Sequence, residues 1–236
     1  MFVSVITPCL NSKETIRDTM ESVLRQSYQK IEYIVIDGGS TDGTVEILKE
    51  YAPLFGKRML FVSEKDGGIF PAMNKGIRMS HGSLVGILNS GDCYEKDAVE
   101  KMAAQYRAGS YQVLYGYMRV MGPRRSYYIC RDRHQQLMEA MIPHPTCFVS
   151  RNVYRDFGLY LECFKLASDY ELMMRLYRTG KVSFQCIPEI ITNFQHGGAS
   201  SGRRTKYEVA LIRFLYGGLS GREFLKKVAG ELVGMG

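Results

Sequence analysis

Nowhere does the chain approach the ~18 to 20 continuous apolar residues that a membrane-spanning helix requires. Its first residues, MFVSVITPCLN, carry no basic segment and pass straight into polar sequence, so no signal peptide is expected and the expected home is the cytoplasm. The six cysteines (Cys9, Cys93, Cys130, Cys147, Cys163 and Cys186) are scattered without a CxxC pair or zinc-finger spacing. Reduced, mostly buried thiols are therefore expected. Internal repeats and low-complexity segments are absent, as is any recognition-helix, zinc-finger or aromatic strand motif that would read nucleic-acid bases. Two nucleotide-binding schemes are missing as well. A dinucleotide fold needs GxGxxG after its first strand, but here that strand runs into TPCLNSKE, which has no glycine. GxxxxGK[ST] is also absent, and TPCLNSKE lacks the Gly-rich basic loop with which a nucleotidyltransferase would grip a triphosphate.

The 236 residues suit one domain of generous size, and 45% hydrophobic with 23% charged residues is ordinary globular composition. The net charge of +7 is unevenly placed, in GPRRSYY, ICRDRH, SGRRTKYE and GREFLKKV. Such an excess can attract anionic lipid or a polyphosphate ligand.

The first half alternates strand and helix patterns. FVSVITP precedes an amphipathic helix from about Ser12 to Ser27, striped by Ile16, Met20, Val23 and Leu24 and capped by Asn11 or Ser12. IEYIVID leads to the helix TVEILKEYA, with Ser40, Thr41 and Asp42 read as its cap. MLFVSE leads to AMNKGIRMS, with Pro71 in the first turn, and LVGILNSGD is a fourth strand. Near-continuous apolar strands separated by helices predict a parallel sheet covered on both faces. The loops ITPCLN, IDGGSTDG, SEKDGG and ILNSGD then meet at one rim, where open α/β sheets hold their ligands. The second half offers a strand from Tyr111 to Val120, the segment MIPHPTCFVSR, a helix in SDYELMMRLYRTG and a strand in KVSFQCI. From Arg204 the pattern is helical, broken by Gly217, Gly218 and Gly221. The division expected is residues 1–200 as one α/β domain and 201–236 as a helical extension.

Asp37 ends the second strand and Asp92 the fourth. A carboxylate there can accept from a ribose hydroxyl or a base N–H, or can bind a divalent metal. A metal on a nucleotide diphosphate neutralises the charge that builds as that group leaves. The chemistry suggested is departure of a nucleoside diphosphate from whatever it carried.

In their order and spacing, ITPCLNS, IVIDGGSTDGT, VSEKDGGIFPAMNKGI and ILNSGDCY resemble the inverting glycosyltransferases of family 2. The likeness is strong over residues 2 to 95 and continues, more loosely, through PHPTCF and SDYELMMRL to about 200. Within that family the chain is similar to the exopolysaccharide and O-antigen branch that includes the colanic-acid enzymes. The resemblance implies a GT-A fold, an α/β architecture with a mainly parallel central sheet, flanking helices and here a C-terminal helical tail. It implies that Thr7, Pro8 and Asp37 hold the base and ribose, and that Asp66, Asn74, Lys75, Asn89 and Gly91 border the nucleotide-sugar. Asp92 would carry Mg2+ or Mn2+. Gly91 stands where the family's metal motif usually has a second acid, and Pro71 where relatives often have Asp. By the same resemblance Asp169 is the catalytic base, with Glu171 as fallback. Of the histidines, His144 and His196 are candidates to line the acceptor pocket, with metal or pyrophosphate contact as the alternative for His196.

The implied activity is inverting transfer of a sugar from a UDP- or GDP-sugar to a hydroxyl of a saccharide acceptor. That acceptor is expected to be lipid-linked, in exopolysaccharide or lipopolysaccharide synthesis at the inner face of the plasma membrane. No nucleic-acid partner is expected. The alternative is a non-catalytic nucleotide-sugar-binding or assembly subunit of a polysaccharide-synthesis complex. Phe214, Leu215, Phe224 and Leu225, mixed with basic residues, allow either an interfacial or an ordinarily packed tail.

Overall fold

A computed structural model describes residues 1–122, 126–195 and 202–233. Strands β1 (Val3–Cys9), β2 (Ile31–Asp37), β3 (Met59–Ser63) and β4 (Leu84–Ile87) lie parallel in the order β3-β2-β1-β4. Every residue of β1 is buried, and Glu32 alone in β2 is partly exposed, because helices cover both faces. Alternate side chains therefore feed two cores. Val3, Val5, Tyr33 and Val35 pack with α1 (Ile16–Leu24), α2 (Thr44–Phe55) and α4 (Ala98–Gln105). Ile6, Ile34 and Ile36 pack with α3 (Ile69–Met79) and α6 (Ser168–Arg178).

Beyond β4 the sheet changes character. β8 (Phe148–Ser150) pairs antiparallel with β4 and with β6 (Gln112–Met121), which in turn runs parallel to β9 (Ser183–Gln195). β5 (Cys93–Tyr94) is antiparallel to β9, and β7 (Tyr127–Cys130) to β6. The nine-stranded sheet of the described residues is thus mainly parallel, as expected, with antiparallel pairings added beyond β4. Gly86 makes the seam possible: a Cβ there would lie 2.6 Å from the Phe148 ring and 2.7 Å from the Tyr94 hydroxyl.

Three boundaries differ from the sequence reading. The first helix begins at Ile16 rather than near Ser12, because Asn11 to Lys13 are bonded to the loop before α2. β9 runs thirteen residues, far past KVSFQCI, because its second half borders β5 as well as β6. The tail is no appendage: α7 (Arg203–Leu215) packs on α6 and buries Ile212 completely in the same core. α8 (Gly221–Val233) packs on α7, with Phe214 and Phe224 stacked at 4.9 Å. α5 (Arg151–Phe157) follows β8 directly. All six thiols are unpaired, and Cys163 is exposed.

Candidate active site

The C-terminal ends of β1, β3 and β4 enclose a cavity of about 280 Å3. Pro8, Cys9 and Leu10 form one wall, Asp66 and Ile69 a second, and Asn89 and Ser90 a third. The loops after β1 and β2 are braced by bonds between backbone N–H groups and side chains. Asn11 N–H donates to Ser40 Oγ (2.7 Å) while its Oδ1 accepts from Thr41 N–H (3.0 Å). This bracing holds Asn11 at φ +47°, a left-handed conformation that asparagine tolerates better than most residues. Lys13 N–H donates to Asp42 Oδ2 (2.9 Å), and Asp42 Oδ1 accepts from Thr44 N–H (3.0 Å). Of the three residues read as the cap of α2, Asp42 alone serves its first turn, and Gly43 occupies the cap position.

Asp37 sits at the tip of β2, as its sequence position implies, but its carboxylate faces the protein. It is fully buried, and Oδ2 accepts from Gly39 N–H (3.2 Å), Ser40 N–H (3.0 Å) and Ser63 Oγ (2.6 Å). Oδ1 accepts from the Ser40 hydroxyl and, at 3.7 Å, from the Cys9 thiol. Burial works against the anion, yet the bonds from Ser40, Ser63 and Gly39 hold the carboxyl below its ordinary value. Burial, then Asp37, push the Cys9 thiol up. Asp37 thereby ties three loops together. Thr7 is likewise fully buried, its Oγ accepting from the Tyr33 hydroxyl (3.0 Å), whereas Pro8 and Asp66 do line the cavity. Asp66 Oδ1 accepts from Gly68 N–H (2.9 Å), and its carboxylate lies over Gly38, where a Cβ would stand 3.0 Å from Oδ2.

Asn74 and Lys75 turn elsewhere than the cavity. Asn74 is 1% exposed and spends its amide on the chain: Nδ2 donates to Tyr160 O and Glu162 Oε1 (2.9 Å each), and Oδ1 accepts from Tyr160 N–H (3.0 Å). Lys75 pairs with Glu64 near the surface.

In the loop after β4, Asn89 Oδ1 and Asp92 Oδ2 are both buried without a hydrogen-bond partner. Burial pushes the Asp92 carboxyl up to about 7, opposed by the Gln195 backbone N–H. Gly91 between them has φ +101° and donates its N–H to Thr19 Oγ (2.9 Å), so a side chain in its place would strain the turn. Two unpartnered hard oxygens in one short loop suit a small divalent cation that keeps few protein ligands. No group of three His, Cys, Asp or Glu side chains among the described residues could hold one.

Asp169 is the second residue of α6 and accepts from Tyr170 N–H (2.9 Å). It lines a second cavity of about 230 Å3 with residues of α7. His144 stands near it, buried, its Nε2 2.9 Å from the Tyr160 hydroxyl. Burial lowers the His144 pKa and nearby Asp169 opposes that, leaving a net fall and a neutral ring at pH 7. His196 lies outside the described residues. Glu171, the fallback base, is 1% exposed and committed to Arg175 (3.0 Å from both Nε and Nη2) and to the Tyr216 hydroxyl (2.6 Å).

Glu208 of α7 escaped the sequence reading. It is 6% exposed, and its carboxylate accepts from Lys165 N–H (3.1 Å), Leu166 N–H (2.8 Å) and Ala167 N–H (3.0 Å), the residues leading into α6. An available signal was an acid on the buried stripe Thr205, Glu208, Ile212.

The sequence profile described as Glycosyl transferase family 2 matches residues 4–208. The chain belongs to that family. It is a glycosyltransferase, and its helix-flanked mixed sheet is a GT-A fold. A PGL/p-HBAD biosynthesis glycosyltransferase of Mycobacterium bovis is 26% identical over 95% of this chain and 83% of its own. S. aureus TarS 1–349, solved with UDP-GlcNAc, superposes with a TM-score of 0.71 at 19% identity, over 96% of this chain and 69% of that one. The chain spans 43% of the longer TarS structure. Mannosyltransferase PcManGT from Pyrobaculum calidifontis, solved with GDP-Man and Mn2+, gives 0.68 at 17% identity, over 98% and 74%.

Proposed function

We propose that this glycosyltransferase moves a sugar, with inversion, from a UDP- or GDP-sugar to a hydroxyl of a lipid-linked saccharide in surface polysaccharide synthesis. The observation that carries the reading is the pairing of a cavity at the strand rim, beside the partnerless Asp92 and Asn89, with Asp169 lining a separate cavity. In that reading the rim cavity holds the donor, with Asp66 bordering it. Asp92 and Asn89 would hold Mg2+ or Mn2+, which supplies positive charge to the diphosphate. Asp169 takes the acceptor proton as the hydroxyl oxygen attacks the anomeric carbon and the bond to the diphosphate oxygen breaks. Such base catalysis contributes about 100- to 10,000-fold. The neutral His144, held by Tyr160, places no positive charge beside Asp169 that would weaken it as a base. The catalytic unit in this reading is residues 1–200 together with α7.

UDP-GlcNAc on TarS and GDP-Man on PcManGT favour the two donor classes, and the name of the Mycobacterium bovis relative favours glycan synthesis. The exopolysaccharide and O-antigen assignment rests on the loop motifs. No helix among the described residues is long and apolar enough to cross a membrane. The exposed Leu215 and Leu225, beside Lys226 and Lys227, favour peripheral contact at the inner membrane face.

The test is thermal stability against UDP-, GDP-, CMP- and dTDP-sugars, with and without Mn2+. A donor at 100 times its Kd adds about 2.7 kcal/mol, roughly 5 to 10 °C for a chain of this size. A rise with one nucleotide class, reduced in Asp92→Ala, supports the reading. Asp169→Asn should keep that rise and lose transfer. No rise with any donor overturns the reading.

A further inference from the structure

Two of the basic clusters, GPRRSYY and ICRDRH, take no part in the site described above. They belong to the hairpin of β6 and β7 and to the segment that follows it. From Tyr117 to His134 the sequence has five arginines against one aspartate, a net +4 of the chain's +7. Arg124 and Arg125 lie outside the described residues, and Arg119, Arg131 and Arg133 within them.

The strand register sets Met121 opposite Tyr127 and Arg119 opposite Ile129, so these side chains share one face of the hairpin. There the Arg119 guanidinium lies 5.5 Å from the centre of the Tyr127 ring, and that of Arg131 lies 5.4 Å from the centre of the Tyr117 ring. Arg119 is fixed in place, since Nη1 donates to Glu95 Oε1 (2.7 Å) and Asn193 Oδ1 (2.6 Å). Tyr127 is nevertheless 60% exposed, which leaves the side of its ring away from Arg119 open. Arg131 and Arg133 are exposed, and neither forms a salt bridge among the described residues. Asp132, between them, accepts from the Cys130 thiol (2.9 Å).

The hairpin is continuous with the site. Asp92 accepts from the Gln195 backbone N–H, Gln195 pairs with Met121, and Met121 pairs with Tyr127. Two strand spacings, about 10 Å, separate Gln195 from Tyr127. Glu95, which holds Arg119, follows Asp92 through the short strand β5.

An open tyrosine ring accepts the C–H face of a sugar, and guanidinium groups take carboxylate or phosphate oxygens in bidentate pairs. No aliphatic or phenylalanine side chain among the described residues of the hairpin is exposed to enter a bilayer. Four residues of extended chain, about 13 Å, separate Tyr127 from Arg131, so the face suits a chain of sugars better than a single ring.

We infer that the hairpin of β6 and β7 binds an acidic stretch of the acceptor glycan, with a sugar ring on Tyr127 and carboxylate or phosphate groups on Arg131 and Arg133. The inference rests on the transfer reading above, in which the acceptor is a saccharide.

Titration calorimetry on the full chain provides the test. The probes are trigalacturonate, a phosphorylated pentamannose and, as the neutral control, maltotriose. At least one acidic probe should bind about tenfold or more tightly than maltotriose, and its affinity should fall from about 50 to about 200 mM salt, because exposed charges are screened. The double variant Arg131→Ala/Arg133→Ala should weaken that probe about tenfold or more. Tyr127→Ala should weaken it severalfold and Tyr127→Phe should retain it. Melting temperatures without ligand report that the variants are folded, and the donor-induced rise should persist in all of them. Equal affinity for acidic and neutral probes overturns this inference, as does an affinity that none of the variants moves. Tighter binding of oligo-dT or of phosphatidylglycerol vesicles than of either acidic saccharide overturns it too. Each of these results, with the donor-induced rise intact, leaves the transfer reading standing. Absence of that rise in the wild type with every donor overturns both.

Discussion

Replacing Glu208 by alanine removes one acceptor from three backbone N–H groups at once. Hydrogen bonds to a charged group contribute about 1.5 to 3 kcal/mol each. These three share one carboxylate, and water can reach part of the gap, so the loss is smaller than three times that. About 3 kcal/mol is the expected cost, which for a chain of this length lowers the melting temperature by roughly 6 to 12 °C. Glu208→Gln keeps one acceptor oxygen and should fall between. Arg204 lies 3.7 Å from Glu208 with a largely exposed side chain, so Arg204→Ala should change little. The functional consequence follows from position: the released segment 165–167 leads directly into α6 and Asp169. Sugar transfer should fall while the donor-induced rise in melting temperature persists, because the rim cavity shares no residue with that segment. Calorimetry and a transfer assay on the three variants measure both effects. A melting temperature in Glu208→Ala equal to the wild type would refute the reasoning, as would loss of donor binding with transfer per bound donor intact.

Other perturbations test the remaining parts of the site. Because Asp37 titrates below its unfolded value, its contribution is full above about pH 4 and is lost as pH falls toward the folded value. Asp37→Asn should therefore be less stable than wild type at pH 7, with the gap closing in acid unfolding curves below about pH 4. Asp92 behaves oppositely. With its carboxyl held up to about 7, the folded chain keeps a proton that the unfolded chain has lost, so stability falls as pH rises from about 4 to about 7. In metal-free buffer at pH 8, Asp92→Asn should melt above the wild type, by at most about 4 kcal/mol of added stability, and the two should converge near pH 4. Asn74→Ala leaves the Tyr160 backbone groups and Glu162 without their partner, so about 2 to 3 kcal/mol of stability should go. The donor-induced rise should remain, and its disappearance would return Asn74 to the donor site.

The four rim loops were legible because strand periodicity and Gly-rich turns are local properties of the chain. Pro8, Asp66 and Asn89 accordingly lie at the cavity that their spacing implies. The direction in which a side chain turns was not legible. Asp37 and Asn74 occupy the expected elements, yet their polar atoms are taken by Ser63 and Tyr160, partners that only the folded chain brings near. The mixed half of the sheet was hidden for a related reason. β8 is three residues long, too short for a periodic signal, and it is held between β4 and β6. Glu208 was hidden because its three partners are backbone N–H groups, which every sequence has.

A side chain at position 38 would begin 3.0 Å from Asp66 Oδ2, so residues 38 and 66 compete for one volume. Enlarging residue 38 requires the Asp66 carboxylate to move by a few tenths of an ångström. Lineages descending from this rim should therefore exchange the two positions as a linked pair. In directed evolution, the informative library therefore varies both codons together.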